Sequence, residues 1–145
     1  MRISKICLTD VNTWLALLAE GHLHHRVARE WFLSLGERQA VFCRVSQMGL
    51  LRLLTQPAVM NKGTMSPEQA WKTYQTLRQD SRVAFAGEPT GLESTWMRLM
   101  NESGSGRAWT DAYLAAFALG HQYTLASFDR GFQKWKELSF HLISE

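Results

Sequence analysis

Asp10, Asp111 and Asp129 are the residues of this chain whose type and placement most directly suggest chemistry. Asp10 follows the apolar run ICLT, Asp129 follows YTLASF, and Asp111 opens the helical stretch WTDAYLAAFA. Carboxylates so far apart in a chain converge when the strands before them lie side by side in a parallel sheet. Bringing them together without a cation is unfavourable. Two bare carboxylates roughly 5 Å apart, at an effective dielectric of about 20, repel by about 3 kcal/mol. A hard divalent ion that takes oxygen ligands removes that repulsion. The three aspartates therefore point to a Mg2+ or Mn2+ site and to phosphoryl chemistry on a nucleic acid.

The elements that must position them follow from pattern. Residues 3–9 read as a short buried strand, and 10–19 switch to helical spacing through Trp14, Leu17 and Leu18. A second helix is expected over 24–35, with Val27, Trp31 and Leu35 on one face. Residues 40–45 form the second strand candidate, after which Ser46 can cap a helix to about Thr55, before Pro57 interrupts. Ser66-Pro67-Glu68-Gln69 has the form of a capping box with proline at the first helical position, opening a helix to about Gln79. A strand over 82–86, a helix from Gly91 to Met100 and a loop at Ser103–Gly106 come next. Thr110 is expected to cap a helix that begins at Asp111 and ends near Gly120. Strands four and five fall at 123–128 and 139–143. The alternation implies an α/β three-layer domain spanning 1–145, with a largely parallel five-stranded sheet and helices on both faces. Such sheets bind ligands beyond the carboxyl ends of their strands, at a topological switch point. Asp10 and Asp129 follow strands directly. Asp111 lies in a first helical turn, where the helix dipole favours negative charge.

Composition narrows the class. With 145 residues, 46% of them hydrophobic, one core suffices. No apolar run approaches the roughly 20 residues of a membrane span, and the N-terminus lacks a secretory leader pattern. The expectation is a cytoplasmic protein without a membrane partner. Cys7 and Cys43, both in apolar strand-like runs, read as buried free thiols. Net charge is +3; with the three aspartates neutralised, 16 basic residues face the remaining ten acidic ones and the balance becomes +6. A locally negative site on a basic body suits a polyanionic substrate. His22, His24 and His25 cluster but lack a zinc-ligand spacing. No G-x-S-x-G elbow, P-loop or nucleophilic D-x-D pair is present.

Five segments in order, LTDVNTWLALL, HHRVAREWF, FCRVSQMGLLRLLTQPAVM, WTDAYLAAFA and LASFDRGF, give the chain a family likeness. It resembles a PIN-domain ribonuclease of the VapC toxin type. The resemblance implies a PIN-like fold and metal-dependent endoribonuclease cleavage of RNA, including structured RNA such as tRNA or rRNA. It also implies the toxin role in a toxin–antitoxin pair, an antitoxin partner that blocks the site, and a homodimer. Position by position, it implies that Asp10 is a direct metal ligand supported by Asn12. Asp111 and Asp129 match the later acidic positions, and Ser127 a hydroxyl that accompanies the last of them. One position departs. The family's second acidic residue falls on Gln47, whose carbonyl can ligate a hard cation but carries no charge. The expectation is weaker metal affinity, or a shell completed by RNA phosphate oxygens. The competing reading is a weakened or inactive PIN-fold module that binds RNA or protein.

For RNA backbone contact the candidates are Arg44, Arg107 and Arg130, with Arg52, Lys62 and Lys134 beside them. Trp109 can stack a base. Exposed aromatic or leucine residues on the helices carrying Trp14 and Leu50–Leu54 are candidates for self-association or partner contact, and are equally well explained as core.

Overall fold

The computed structural model describes residues 5–144. Five parallel strands, β1 (Ile6–Thr9), β2 (Gln39–Phe42), β3 (Val83–Phe85), β4 (Thr124–Ser127) and β5 (Phe140–Leu142), lie in the order β3-β2-β1-β4-β5. The chain leaves the central strand toward β2 and β3, then returns to build β4 and β5 on the other side. The switch point therefore lies between β1 and β4, where Leu8 faces Leu125 and Thr9 faces Ala126. Thr9 Oγ1 donates to Ala126 O at 2.6 Å and ties these two strands at their carboxyl ends.

Side-chain alternation along the strands sorts the core into two layers. Leu8, Val41 and Leu125 pack under α6 (Leu92–Ser103) and α7 (Trp109–His121) with Leu99, Leu114 and Phe117. Cys7, Ala40, Phe42 and Ala126 face the opposite layer of α1 (Val11–Leu18), α2 (His25–Leu33), α3 (Arg44–Leu54) and α5 (Pro67–Arg78). There Trp14 stacks on Phe42 at 4.0 Å between ring centroids, and Tyr74 meets Phe42 edge-on. Trp14, Leu50 and Leu54 are fully buried. Of the two roles open to them, these three side chains take the core one; among the described residues the exposed large apolar side chains are Leu23, Leu33, Met48, Val59, Trp71, Met97 and Trp109.

Several boundaries differ from expectation for local reasons. The first two residues of the strand expected at 3–9 lie outside the described residues. Ser46 is not the N-cap of α3: Cys43 holds that place in extended conformation and the helix begins at Arg44. Ser46 acts from the third helical position, its hydroxyl accepting from Cys43 N at 3.0 Å. Likewise α7 begins at Trp109, two residues before Asp111, and Thr110 is already helical. Pro57 opens the short α4 (Pro57–Met60), where its missing N–H costs nothing. The capping box at α5 forms as read, with Gln69 N to Ser66 Oγ at 3.2 Å and Ser66 N to Gln69 Oε1 at 2.9 Å. Cys7 pairs in register with Ala40, not with Cys43, and both thiols are free and buried. Among the described residues no helix is long and apolar enough to cross a membrane.

Gly49 fixes the seating of α3 on α1. A Cβ there would stand 2.6 Å from Val11 Cγ2, and the β-branched Val11 cannot easily rotate away. Alanine gains about 1 kcal/mol of helix propensity over glycine, while overpacking costs about 1–3 kcal/mol. Gly49→Ala is expected to be destabilising on balance, seen as a lower urea midpoint, and adding Val11→Ala should remove the clash part of the loss. Equal midpoints for Gly49→Ala and wild type would show that α3 and α1 do not depend on this contact.

Candidate metal centre

Asp10 comes directly off the end of β1 and caps α1. Its Oδ1 accepts from Thr13 N at 3.2 Å and Thr13 Oγ1 at 2.6 Å; its Oδ2 accepts from Ser127 Oγ at 2.7 Å. Three of the about four acceptor positions of a carboxylate are thus occupied. The side chain is locked in one orientation, with capacity for one further bond. Asp10 is buried, as are Thr13 and Ser127. The same Ser127 hydroxyl accepts from Asp129 N at 2.9 Å, so one serine at the end of β4 orients both strand-end aspartates. Asp129 is exposed and caps the 3-10 helix Arg130–Lys134 through Gly131 N, 2.7 Å from its Oδ1.

Asp111 is half-buried in the first turn of α7. Burial raises its carboxyl above the ordinary range, the charges of Asp129 and Asp10 raise it further, and the Lys134 ammonium opposes them. The three carboxylates thus sense one another. A cavity of about 250 Å³ is lined by Asp10, Asn12, Gly49, Arg52, Thr110 and Asp111 among others. Asp129, Ser127 and Gln47 do not line it.

As they stand, no three His, Cys, Asp or Glu side chains among the described residues enclose an ion. In kind, however, the donors suit a hard cation: they are oxygens only, on carboxylates whose mutual repulsion a positive charge would relieve. Gln47 is buried and its Oε1 accepts from Arg44 Nη1, so its carbonyl is already engaged. Asn12 is exposed on the rim. Of the arginines expected on RNA, Arg44 lies over the Phe85 ring at 4.8 Å, and Arg130 lines a separate cavity with His24 and Phe128. Arg107 is exposed in the loop before α7. Trp109 is half-exposed beside Thr110, its carbonyl accepting from Trp96 Nε1 at 2.9 Å. Sequence reading missed Thr13; its signal was the Asp-x-x-Thr spacing at a helix start, which lets the hydroxyl and the amide share one carboxylate oxygen.

A wholly parallel five-stranded sheet between two helical layers, with carboxylates beyond its central strands, defines a three-layer α/β domain. The PIN domain family model matches residues 7–138, and the chain belongs to that family, with relatives among the VapC-type ribonucleases. It is similar to Ribonuclease VapC41 of Mycobacterium tuberculosis, 38% identical over 144 residues that cover 95% of this chain and 99% of the relative. Ribonuclease VapC29 of the same species is 30% identical over 124 residues, 86% of each chain. Two solved structures share the fold. VapBC2 from Rickettsia felis, bound to a DNA fragment from its promoter, aligns with TM-score 0.73 at 12% identity over 96% of this chain and 99% of that one. VapBC-1 from nontypeable Haemophilus influenzae aligns with TM-score 0.71 at 16% identity over 97% and 99%.

The raised carboxyl of Asp111 sets a sign. A group that holds its proton more tightly folded than unfolded favours the fold while protonated. That advantage disappears as pH rises from the ordinary carboxyl range through the raised value. At neutral pH the ionised Asp111 is a cost. Asp111→Asn is therefore expected to melt a few degrees above wild type in chelator at pH 7, with the gap closing toward about pH 4. Mn2+ should raise the wild-type melting temperature and leave the variant unmoved. A wild type as stable as the variant in chelator at pH 7 would contradict this.

Proposed function

We propose that the chain is a Mg2+- or Mn2+-dependent endoribonuclease and the toxin of a toxin–antitoxin pair. The observation that carries the proposal is the Asp10–Ser127–Asp129 arrangement at the switch point, with Asp111 lining the same cavity as Asp10. Membership of the PIN family and the similarity to named ribonucleases support the same reading. Asp10 is the fixed ligand, Asp111 and Asp129 the more exposed ones, and Asn12 a rim residue that can hold a bound water. A divalent ion there supplies a water of lowered pKa and positive charge at the phosphate. The chain's own part is to fix Asp10 through Thr13 and Ser127, and to present an open cavity to one phosphodiester. Attack of water on phosphorus breaks the P–O ester bond and leaves a phosphate and a hydroxyl end.

Both named structural neighbours are VapBC assemblies, which supports an antitoxin as partner of this chain. A homodimer and a tRNA or rRNA substrate complete the proposal. The reading as an inactive binding module rested on Gln47. It is not favoured, because the relatives at 38% and 30% identity are named ribonucleases.

Cleavage of a tRNA and rRNA pool by the partner-free chain, with Mn2+ and with chelator, tests the activity. Discrete metal-dependent cuts are expected, and Asp10→Asn should lower their rate by about two orders of magnitude or more. Cutting that persists in chelator, or that Asp10→Asn retains, would overturn the proposal. Ser127→Ala should weaken Mn2+ binding by about 10-fold or more, as loss of a residue that orients a ligand does. Titration calorimetry would reveal an unchanged affinity if Ser127 does not orient Asp10.

A further inference from the structure

A site with three carboxylates repels the polyanion it must bind, so cations have to hold the strand at both flanks. The fold provides one on each side. In the strand order, β2 and β4 are the neighbours of β1, from which Asp10 projects. The helix leaving β2, α3, carries Arg52; the 3-10 helix beyond β4 ends in Lys134. Arg52 lies one helical turn after Gly49, the residue pressed against α1, and so faces the same cavity as Asp10 and Asp111. Lys134 ends the 3-10 helix that Asp129 caps, with its Nζ 4.8 Å from the centre of the Trp135 ring. That indole is itself fixed by a bond from Nε1 to Leu99 O at 3.0 Å.

Both side chains are exposed, and among the described residues neither is in an ion pair. Other arginines are already hydrogen-bonded or ion-paired to side chains: Arg44 to Gln47, Arg82 to Asp80, and Arg98 to Glu102 and Glu137. Arg52 and Lys134 are thus available cations beside the carboxylates, one from each neighbouring strand.

We propose that Arg52 and Lys134 bracket the three carboxylates and hold the RNA phosphates on either side of the one presented for cleavage, the strand crossing the carboxyl edge of the sheet from the β2 side to the β4 side. The proposal rests on the ribonuclease reading and adds the path and polarity of contact to it. Phosphate contacts of this kind position the strand and carry no base preference.

Binding of a fluorescein-labelled oligouridylate to the metal-free protein over a series of salt concentrations tests it, with cleavage of the tRNA and rRNA pool in Mn2+ measured on the same proteins. Arg52→Gln and Lys134→Gln should each weaken binding about 10-fold at low salt and lower the salt slope by about 1. In cleavage KM should rise and kcat hold within about 3-fold. Arg52→Lys and Lys134→Arg should restore most of the loss, and Arg29→Gln, exposed on α2, should change nothing. Unchanged melting temperatures verify the fold of each variant. If wild type cuts RNA and both Gln variants bind and cut as it does, the bracket is overturned while the ribonuclease reading stands. Loss of kcat at unchanged binding would also overturn it. If wild type neither binds nor cuts RNA, the ribonuclease reading falls first and the bracket with it.

Discussion

The buried carboxylate of Asp10 is the constraint around which the edge of the sheet is arranged. An ionised group at that depth is tolerated only when hydrogen-bonded. Here Thr13 satisfies one oxygen and Ser127 the other. The Ser127 bond joins residues 117 apart in sequence, across the junction of β1 and β4 where the chain reverses its direction of growth. One bond therefore does two jobs: it compensates the burial of a charge, and it sets the spacing between the two strand ends from which the site grows. Asp129 is oriented through the same hydroxyl, so its position depends on the Asp10 contact as well.

Asp111 obeys a different logic. It arrives from α7, makes no side-chain hydrogen bond or ion pair among the described residues, and is raised by burial and by the other two aspartates. A protein that only needed stability would gain by replacing it. Its presence beside Asp10, in a cavity rimmed by Asn12 and Thr110, makes sense as repulsion stored for a cation to relieve.

Much of this was legible in the sequence, for definite reasons. Strands were readable because short apolar runs ended in aspartate or preceded helical periodicity, and α5 because Ser66 and Gln69 satisfy each other's backbone amides locally. The start of α3 was misplaced because two residues compete for one role. Ser46 has the side chain of an N-cap, but it reaches back from inside the helix to Cys43. The apolar helices at Trp14 and Leu50–Leu54 were ambiguous because periodicity shows an apolar face and not what covers it; the covering layer of Phe42 and Tyr74 comes from distant segments. At the site, residue types were readable and their relations were not. Neither the sharing of Ser127 between two aspartates nor the cavity that joins Arg52 to Asp10 and Asp111 follows from spacing, since both depend on the strand order.

The most direct test of the central claim is an anomalous difference map, recorded at the manganese edge, from crystals of this chain soaked in Mn2+. The account requires a peak between Asp10 and Asp111, with Asp129 bound directly or through water and the Ser127–Asp10 bond kept. A map with no peak there, or with its peak at His22 and His24 instead, would contradict it.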